Sequence, residues 1–231
     1  MQIRRLDEAK KRTRELAIEG LRERKSAQAR AATLDAGFRL FGERGYDQVT
    51  VAEICAAADI GRRTFFHYFP SKEDLLSSPI REMAARLTAV LDQVPAGATD
   101  GRAVREALTD LARYTLAHRA RLALYRRIIT TSASARLPVW NLPEHELRVA
   151  QLLWARHGAS GPPDLATRLL VARGVAGFRV WLDLVIDSET PGDGPGSKVG
   201  QLEPGAPGGD AAALRLLARI FDADPLLAAP S

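Results

Sequence analysis

The sequence is nearly free of cysteine and contains few aromatic residues. Cys55 is the single cysteine among 231 residues, so a disulfide within the chain is excluded. No apolar run approaches the length of a membrane span and no signal peptide is recognisable, so we expect a cytoplasmic protein without a membrane partner. Aromatic residues make up 6% of the chain, but hydrophobic residues make up 46%, which is enough for a globular core.

Patterns typical of catalysis are also missing. The four histidines have no metal-ligand spacing with cysteine. The segment His145-Glu146-Leu147-Arg148-Val149 has valine where a zinc-binding HExxH helix needs its second histidine. The GPGSK segment within residues 188–209 lacks the order of a phosphate-binding loop, and no nucleophile elbow occurs. We therefore expect no enzyme, no metal and no cofactor.

Strand patterns are absent as well. No stretch alternates apolar and polar residues over the length of a strand, so we expect an all-α fold. Apolar residues recur at helical spacing, with Gly or Pro between the helical segments. The Gly/Pro-rich stretch 188–209 is predicted to be a mobile loop. Outside the two short helices described below, the spacing predicts helices over 27–44, 71–94 (with Pro79 as a candidate kink), 100–118, 121–134, 143–157, 163–186 and 210–222.

Positive charge is concentrated near the N-terminus. The chain has a net charge of +5, and residues 1–30 alone hold ten Lys or Arg against five Asp or Glu. A weak apolar stripe through Ile3, Leu6 and Leu16 predicts that part of this stretch is helical. We define residues 1–26 as a basic N-terminal extension. It either adds non-specific affinity for phosphate or is a solvated tail, and the sequence leaves both open.

Residues 45–76 show the pattern of two short helices joined by a tight turn, followed by the start of a third helix. Thr50 and Glu53 form a capping box at the start of the first helix, and residues 59–61 interrupt its periodicity. In the second helix Phe65 and Phe69 are four residues apart and so would face a core. The side chains between them are left pointing away from that core. This is the layout of a DNA-reading helix-turn-helix.

Basic residues stand where the second helix would meet a phosphate backbone. Arg62 and Arg63 fall in its first turn, and Lys72 falls in the first turn of the next helix, after the cap Ser71. Cations at helix N-termini are unfavourable by a few tenths of a kcal/mol. A bound DNA phosphate would turn that conflict into an advantage. The alternative is that these three residues are ordinary solvated charges.

The segment from Gly45 to Leu76, GYDQVTVAEICAAADIGRRTFFHYFPSKEDLL, resembles the DNA-binding domain of the TetR family of transcriptional repressors over its whole length. The resemblance implies a helix-turn-helix domain over residues 27–76 and a larger helical domain over 77–231 that binds an effector and dimerises. The motifs that carry it are Gly45-Tyr46, Thr50-Val51, Glu53-Ile54, Ala57-Ala58, Ile60, Thr64-Phe65, His67-Tyr68-Phe69 and Ser71-Lys72-Glu73-Asp74-Leu75-Leu76.

The resemblance also implies which residues contact DNA. Thr50 and Lys72 would each touch a phosphate, and most of the others would lie in or beside the major groove. The full set of expected DNA-binding positions is Thr50, Gly61, Arg62, Arg63, Thr64, Phe66, His67, Tyr68 and Lys72.

Three positions depart from the usual family pattern. Asp59 stands where glycine is common, Gly61 where serine or threonine often caps, and Phe66 where tyrosine is usual. The hydroxyl that a tyrosine would offer to a phosphate is therefore missing. Arg62 and Arg63 would compensate either as phosphate contacts or by binding guanine O6 and N7, and the sequence leaves this choice open.

The region beyond residue 76 supplies candidates for effector binding and dimerisation. By the resemblance, Gly174, Ala176 and Gly177 on one helix and Leu214, Leu217 and Phe221 on the last helix would contact a second subunit. Packing within the chain is the alternative for both sets. The candidate effector residues, each of which is also compatible with a plain core position, are Tyr114, His118, Arg126, Trp140, Trp154, Phe178 and Trp181.

We therefore expect a homodimeric repressor that binds an inverted-repeat operator in double-stranded DNA. A small lipophilic effector of unknown identity is expected to release it. The alternative is a ligand-independent or architectural DNA-binding protein.

Overall fold

All regular structure in the described part of the chain is helical. The computed structural model describes residues 2–95, 97–132, 134–135, 142–187 and 209–228; for residues 2–19, 142–143 and 187 it describes the backbone alone. The expectation of an all-α fold is confirmed. Within these ranges the helices are α1 Gln2–Arg44, α2 Val51–Ala57, α3 Arg62–Tyr68, α4 Lys72–Leu76, α5 Ser78–Gln93, α6 Asp100–Ala117, α7 Arg119–Thr131, α8 Leu142–Arg156, α9 Leu165–Asp187 and α10 Gly209–Asp222.

Two features expected from the sequence fall outside this description. The stretch 188–209 lies beyond the described residues except for Gly209, which begins α10. Trp140 also lies outside them. In the described part of the chain, no helix combines the length and the apolar character needed to cross a lipid bilayer.

The first helix begins earlier than expected. The predicted start near Ala27 is wrong, because α1 is continuous from Gln2 to Arg44. Residues 2–26 contain no proline and a single glycine, and they are rich in Arg, Glu, Lys, Leu and Ala, which have high helix propensity. No stop signal therefore separates the basic extension from the helix that follows it.

The helix predicted over 71–94 is divided in two. The helix α4 ends at Leu76 and α5 begins at Ser78, with Pro79 in its first turn. In a continuous helix the ring of Pro79 would clash with the carbonyl of Leu75, and its missing N–H would leave that carbonyl unbonded. In the first turn of a new helix neither problem arises. The sequence correctly indicated Pro79 as the point where the helix is interrupted. The expected kink is instead the end of one helix and the start of another.

The described residues form two compact units, one up to Leu76 and one from Ser77 onward. In the first unit, aromatic side chains from α1 and α3 share one core. Phe41, Phe65 and Phe69 are almost completely buried there. Gly37 lets α4 approach α1 closely, because a Cβ atom at this position would lie 2.7 Å from Cδ2 of Leu75.

In the second unit α6 is the central helix, packed by α5, α9 and α10. Gly174 of α9 lies against α6, where an added Cβ would be 2.7 Å from Val104, and Gly177 lies against Ile220 of α10. Leu217 and Phe221 are also buried within the single chain. These four residues therefore pack within the chain, which is the alternative the sequence left open, and contact with a second subunit stays a prediction.

Candidate DNA interface and ligand cavities

The turn between α2 and α3 is closed by a Schellman motif. The N–H of Ile60 donates to the carbonyl of Cys55 at 3.0 Å, and the N–H of Asp59 donates to that of Ala56 at 3.4 Å. This motif requires a left-handed residue after the C-cap, and Asp59 fills that place with φ 50°. Glycine adopts this conformation without strain, which explains why glycine is common here and why aspartate is tolerated.

The helix α3 is anchored by its buried face. Gly61 is its N-cap, with extended backbone and no side-chain bond. Phe65 and Phe69 are buried, with ring centroids 5.8 Å apart. A helix of seven residues has little stability of its own, so this burial holds it in place.

The opposite face of α3 is open. Arg62, Arg63 and His67 are exposed, and Phe66 is 46% exposed with its ring edge against Phe65. Neither Arg62 nor Arg63 forms a hydrogen bond or ion pair with a residue that the structure describes. Their guanidinium groups are therefore available to an external acceptor.

Two further expected DNA residues on α3 are half-buried. Thr64 lies on the flank of the helix. The Tyr68 hydroxyl accepts a hydrogen bond from Ser26 Oγ of α1 at 3.3 Å, and its ring lies 5.3 Å from that of His67. Tyr68 thus joins α3 to α1 in addition to any contact with DNA.

Thr50 is occupied by its role as N-cap of α2. Its hydroxyl donates to Glu53 Oε2 at 2.8 Å and accepts from the Glu53 N–H at 3.3 Å, which is the expected capping box. The Thr50 backbone N–H also donates to this carboxylate, and that bond above all holds the pKa of Glu53 below its usual range. Arg44 pairs with the same carboxylate at 3.0 Å. A DNA phosphate that accepts a hydrogen bond from the Thr50 hydroxyl would have to replace Glu53 as the acceptor.

Lys72 has a structural role that the sequence did not reveal. Its Nζ donates to the carbonyls of Tyr46 and Val49, each at 3.0 Å, and lies 4.1 Å from the centre of the Tyr46 ring. The Tyr46 hydroxyl donates to Glu73 Oε1 at 2.9 Å. Burial, together with this bond, raises the pKa of Tyr46. The first turn of α4 is therefore hydrogen-bonded to the connection between α1 and α2. One of the three ammonium hydrogens of Lys72 remains for another acceptor.

Two apolar cavities lie within the second unit, and we name them by size. The smaller cavity has a volume of about 90 Å³ and is lined by residues of α5, α6, α8 and α9. The larger cavity has a volume of about 210 Å³ and is lined by residues of α5, α7 and α9. Ile80 and Met83 of α5 line both, so the cavities adjoin.

Two of the expected effector residues line these cavities. Phe178 lines the smaller cavity and Arg126 the larger one. The sequence interpretation missed Ile80 and Met83, because single apolar residues on α5 look like ordinary core positions. It also missed Arg179, which lines the larger cavity.

The other described candidates line neither cavity. The Tyr114 hydroxyl donates to Glu82 at 2.7 Å, and its ring stacks on His118 with centroids 4.2 Å apart. Trp181 is fully buried and its Nε1 donates to the Ala213 carbonyl at 2.7 Å, so it joins α9 to α10. Trp154 is half-buried in α8. Tyr114, His118, Trp154 and Trp181 are thus packing residues in this structure.

Comparison with known proteins identifies relatives of one kind. Residues 34–78 match the family model described as bacterial regulatory proteins, tetR family. The HTH-type transcriptional regulator TcmR of Streptomyces glaucescens is 31% identical over 160 residues, which cover 66% of this chain and 71% of TcmR. The HTH-type transcriptional repressor KstR2 of Rhodococcus jostii RHA1 is 35% identical over 79 residues, 34% of this chain and 39% of KstR2.

A solved structure shows the same fold. A transcriptional regulator of the TerR/AcrR family from Aquifex aeolicus VF5 superposes with a TM-score of 0.50 at 18% identity. The match covers 70% of this chain and 90% of that one. At this identity the likeness concerns the fold alone.

The left-handed backbone of Asp59 leads to a prediction about stability. Asp59→Val should lower the free energy of unfolding by roughly 1–2 kcal/mol, because a β-branched residue is strained at positive φ, whereas Asp59→Gly should leave it unchanged or slightly raised. Chemical denaturation monitored by circular dichroism measures both. Ala57→Val, at an exposed helical position, is the control and should lose less than about 1 kcal/mol. Equal stability of the Val and Gly variants would contradict the motif.

The contacts of Lys72 lead to a second prediction. Lys72→Met keeps the apolar stem but removes two charge-assisted hydrogen bonds, so the first unit should lose about 2 kcal/mol of stability. Lys25→Met, at an exposed lysine, should change stability by no more than about 0.5 kcal/mol. If the remaining N–H also contacts a DNA phosphate, the plot of log binding constant against log salt concentration should be less steep for the Met variant, by about one unit of slope. A Met variant of native stability would remove the structural role.

Proposed function

We propose, from the premise that this chain belongs to the TetR family of bacterial regulatory proteins, that it is a homodimeric repressor of an inverted-repeat operator and is released by a small lipophilic ligand. The family consists of DNA-binding transcriptional regulators, so the chain is a DNA-binding regulator and not an enzyme. The operator, the release and the residues that perform them are the parts we propose.

The open face of α3 is the observation that carries the proposal. Arg62 and Arg63 are exposed and unengaged at the start of a helix whose other face is fixed by Phe65 and Phe69. An arginine in the major groove binds guanine O6 and N7 bidentately, and other positions hold phosphates. We assign one of the two arginines to base recognition, with Gly61, Thr64, Phe66, His67 and Tyr68 beside the groove and Thr50 and Lys72 at phosphates.

We propose that the dimer uses an exposed face of α9. Leu165, Leu169 and Val180 are 70%, 50% and 53% exposed, and Ala176 is exposed between them. Their spacing of four, seven and four residues places them on one side of the helix. The buried residues of the originally expected face are unavailable, so this stripe is the better candidate. Two α3 helices in a dimer would address half-sites roughly 34–36 Å apart.

We propose that the ligand acts through α5. Ile80 and Met83 stand three and six residues beyond Ser77, in the first two turns of this helix. A ligand that displaces them displaces the start of α5, which continues through Ser77 into α4 of the DNA-binding unit. Release requires that the ligand binds one arrangement better than the other.

A ligand-independent DNA-binding protein is the second candidate. Its support is the size of the cavities, since neither reaches the roughly 300 Å³ at which small-molecule sites usually begin. Footprinting of the adjacent promoter would identify the operator DNA. Thermal-shift measurements with a panel of metabolites, with and without that DNA, then separate the two candidates.

The assignment of Arg62 and Arg63 predicts a defined change in sequence selectivity. Alanine at the base-reading arginine should weaken operator binding by about 1–3 kcal/mol and relax selectivity at one operator position. Alanine at a phosphate-binding arginine should weaken all sequences alike. Anisotropy titrations over single-base operator variants distinguish these effects, and Arg39→Ala on the exposed side of α1 serves as control. Uniform loss for both variants would mean that neither arginine reads a base.

The exposed face of α9 predicts the oligomeric state of a variant. Leu169→Glu places a carboxylate in the proposed interface of each subunit, so the dimer dissociation constant should rise by about a hundredfold or more. Sedimentation equilibrium measures that constant. Leu147→Glu, at an exposed leucine of α8, should leave the dimer intact. A dimer unaffected by the α9 substitution would place the interface elsewhere.

The coupling of ligand and DNA predicts a reciprocal effect. Phe178→Trp narrows the smaller cavity and should abolish release by an effector while operator affinity stays nearly constant, with Leu226→Trp as an exposed control.

In the native protein, saturating operator should weaken ligand binding by the factor by which ligand weakens DNA binding. Isothermal titration measures both. Identical ligand affinity of free and operator-bound protein would replace the release model with the ligand-independent one.

A further inference from the structure

We propose that the two cavities together hold a single elongated ligand, largely apolar, with one anionic group at the end between α7 and α9. This inference rests on the proposed ligand-responsive function and adds the chemical class of the ligand. Its basis is the partition between the cavities and the difference in charge between their ends.

Two apolar side chains of α5 form the partition between the cavities. Ile80 and Met83 line both cavities and are nearly buried. Methionine is unbranched and has three rotatable side-chain bonds, so a ligand can turn its side chain aside. Ile80 is β-branched and stiff, so pressure of the ligand on it is passed to the start of α5. Once Met83 turns aside, the two spaces form one continuous channel.

The channel is long and narrow. The smaller cavity follows α5 from Ile80 to Thr88, which at 1.5 Å per residue is roughly 12 Å. The larger cavity follows α9 from Arg179 to Ile186, which is roughly 10 Å. Leu, Ile, Val, Met and Phe side chains form most of both walls, so a ligand with many polar groups would lose its hydration without replacement.

The two ends of the channel differ in charge. At the smaller cavity Glu146 and Arg148 balance each other. At the larger cavity Arg126 pairs with Asp183 at 2.8 Å, which leaves Arg179 as a surplus positive charge. Arg179 has no hydrogen bond or ion pair with any residue that the structure describes. An anionic group at this end would meet an unengaged guanidinium, whereas a cation would be repelled.

Straight-chain probes test both the length and the charge of the ligand. Isothermal titration of the full-length protein without DNA would compare C6 to C14 alkanoates with alkanols and alkyltrimethylammonium ions of equal length. The dissociation constant of the alkanoates should fall about fourfold for each added CH₂ until the channel is full. The alkanol of equal length should bind about tenfold more weakly than the alkanoate.

Two variants assign these effects to residues. Arg179→Ala should weaken alkanoate binding to the level of the alkanol, while Arg168→Ala, on the same helix but outside both cavities, should change nothing. Met83→Trp should remove the advantage of long chains and leave hexanoate unaffected, and Met83→Leu should behave as the native protein. The chain-length series of the native protein tests the channel even if the tryptophan variant does not fold.

Several outcomes would overturn the inference: equal binding of alkanoate and alkanol, tighter binding of the ammonium ions, or an affinity independent of chain length. The same protein mixed with operator DNA separates this inference from the proposed function. Alkanoates that bind in the expected pattern without releasing DNA support the ligand class and contradict release. Release by another ligand, with no alkanoate binding, supports release and overturns the ligand class.

Discussion

The burial of Phe65 and Phe69 is the interaction on which the DNA-binding unit depends. The helix α3 has seven residues, too few to be stable by its own hydrogen bonds. Two aromatic side chains, four residues apart and both buried, fix its position and its rotation about its axis. That rotation leaves Arg62 and Arg63 in solvent. Exposure of the basic face is therefore a consequence of core packing, although two cations in a first turn are locally unfavourable. In the proposed function, bound DNA offsets that local cost.

A second set of contacts fixes the helix that precedes α3. Lys72 bonds the carbonyls of the α1–α2 connection, and Glu73 receives the Tyr46 hydroxyl. Thr50 then begins α2 with a complete capping box. Residues that the sequence suggests as DNA contacts thus also hold the short helices in place.

The second unit combines close helix packing with two adjoining apolar cavities. Close approach of α9 to α6 and α10 is made possible by Gly174 and Gly177. The cavities lie on the side of α9 that faces α5, and Met83 divides them. The exposed apolar residues of α9 lie on another side. In the proposed function, ligand binding and dimerisation therefore use separate faces of one helix.

The sequence by itself determined the fold class, the capping box at Thr50 and the family. Helical periodicity and capping depend on residues within a few positions of one another, so these features are visible in a linear chain. Local sequence signals led to wrong helix boundaries at two places. The extension lacked any stop signal before Ala27, and Pro79 restarted a helix that periodicity alone would have continued.

Only the tertiary structure decided which residues line a cavity and which polar groups are already engaged. Phe178 and Arg126 line cavities. Trp181 is a large aromatic residue like Phe178, but its Nε1 is bonded to the carbonyl of Ala213, 32 residues away along the chain. The ammonium of Lys72 reaches carbonyls 23 and 26 residues before it. Such contacts join residues that no periodicity relates. They follow from how the helices pack, since packing sets both the distances between side chains and the space left among them.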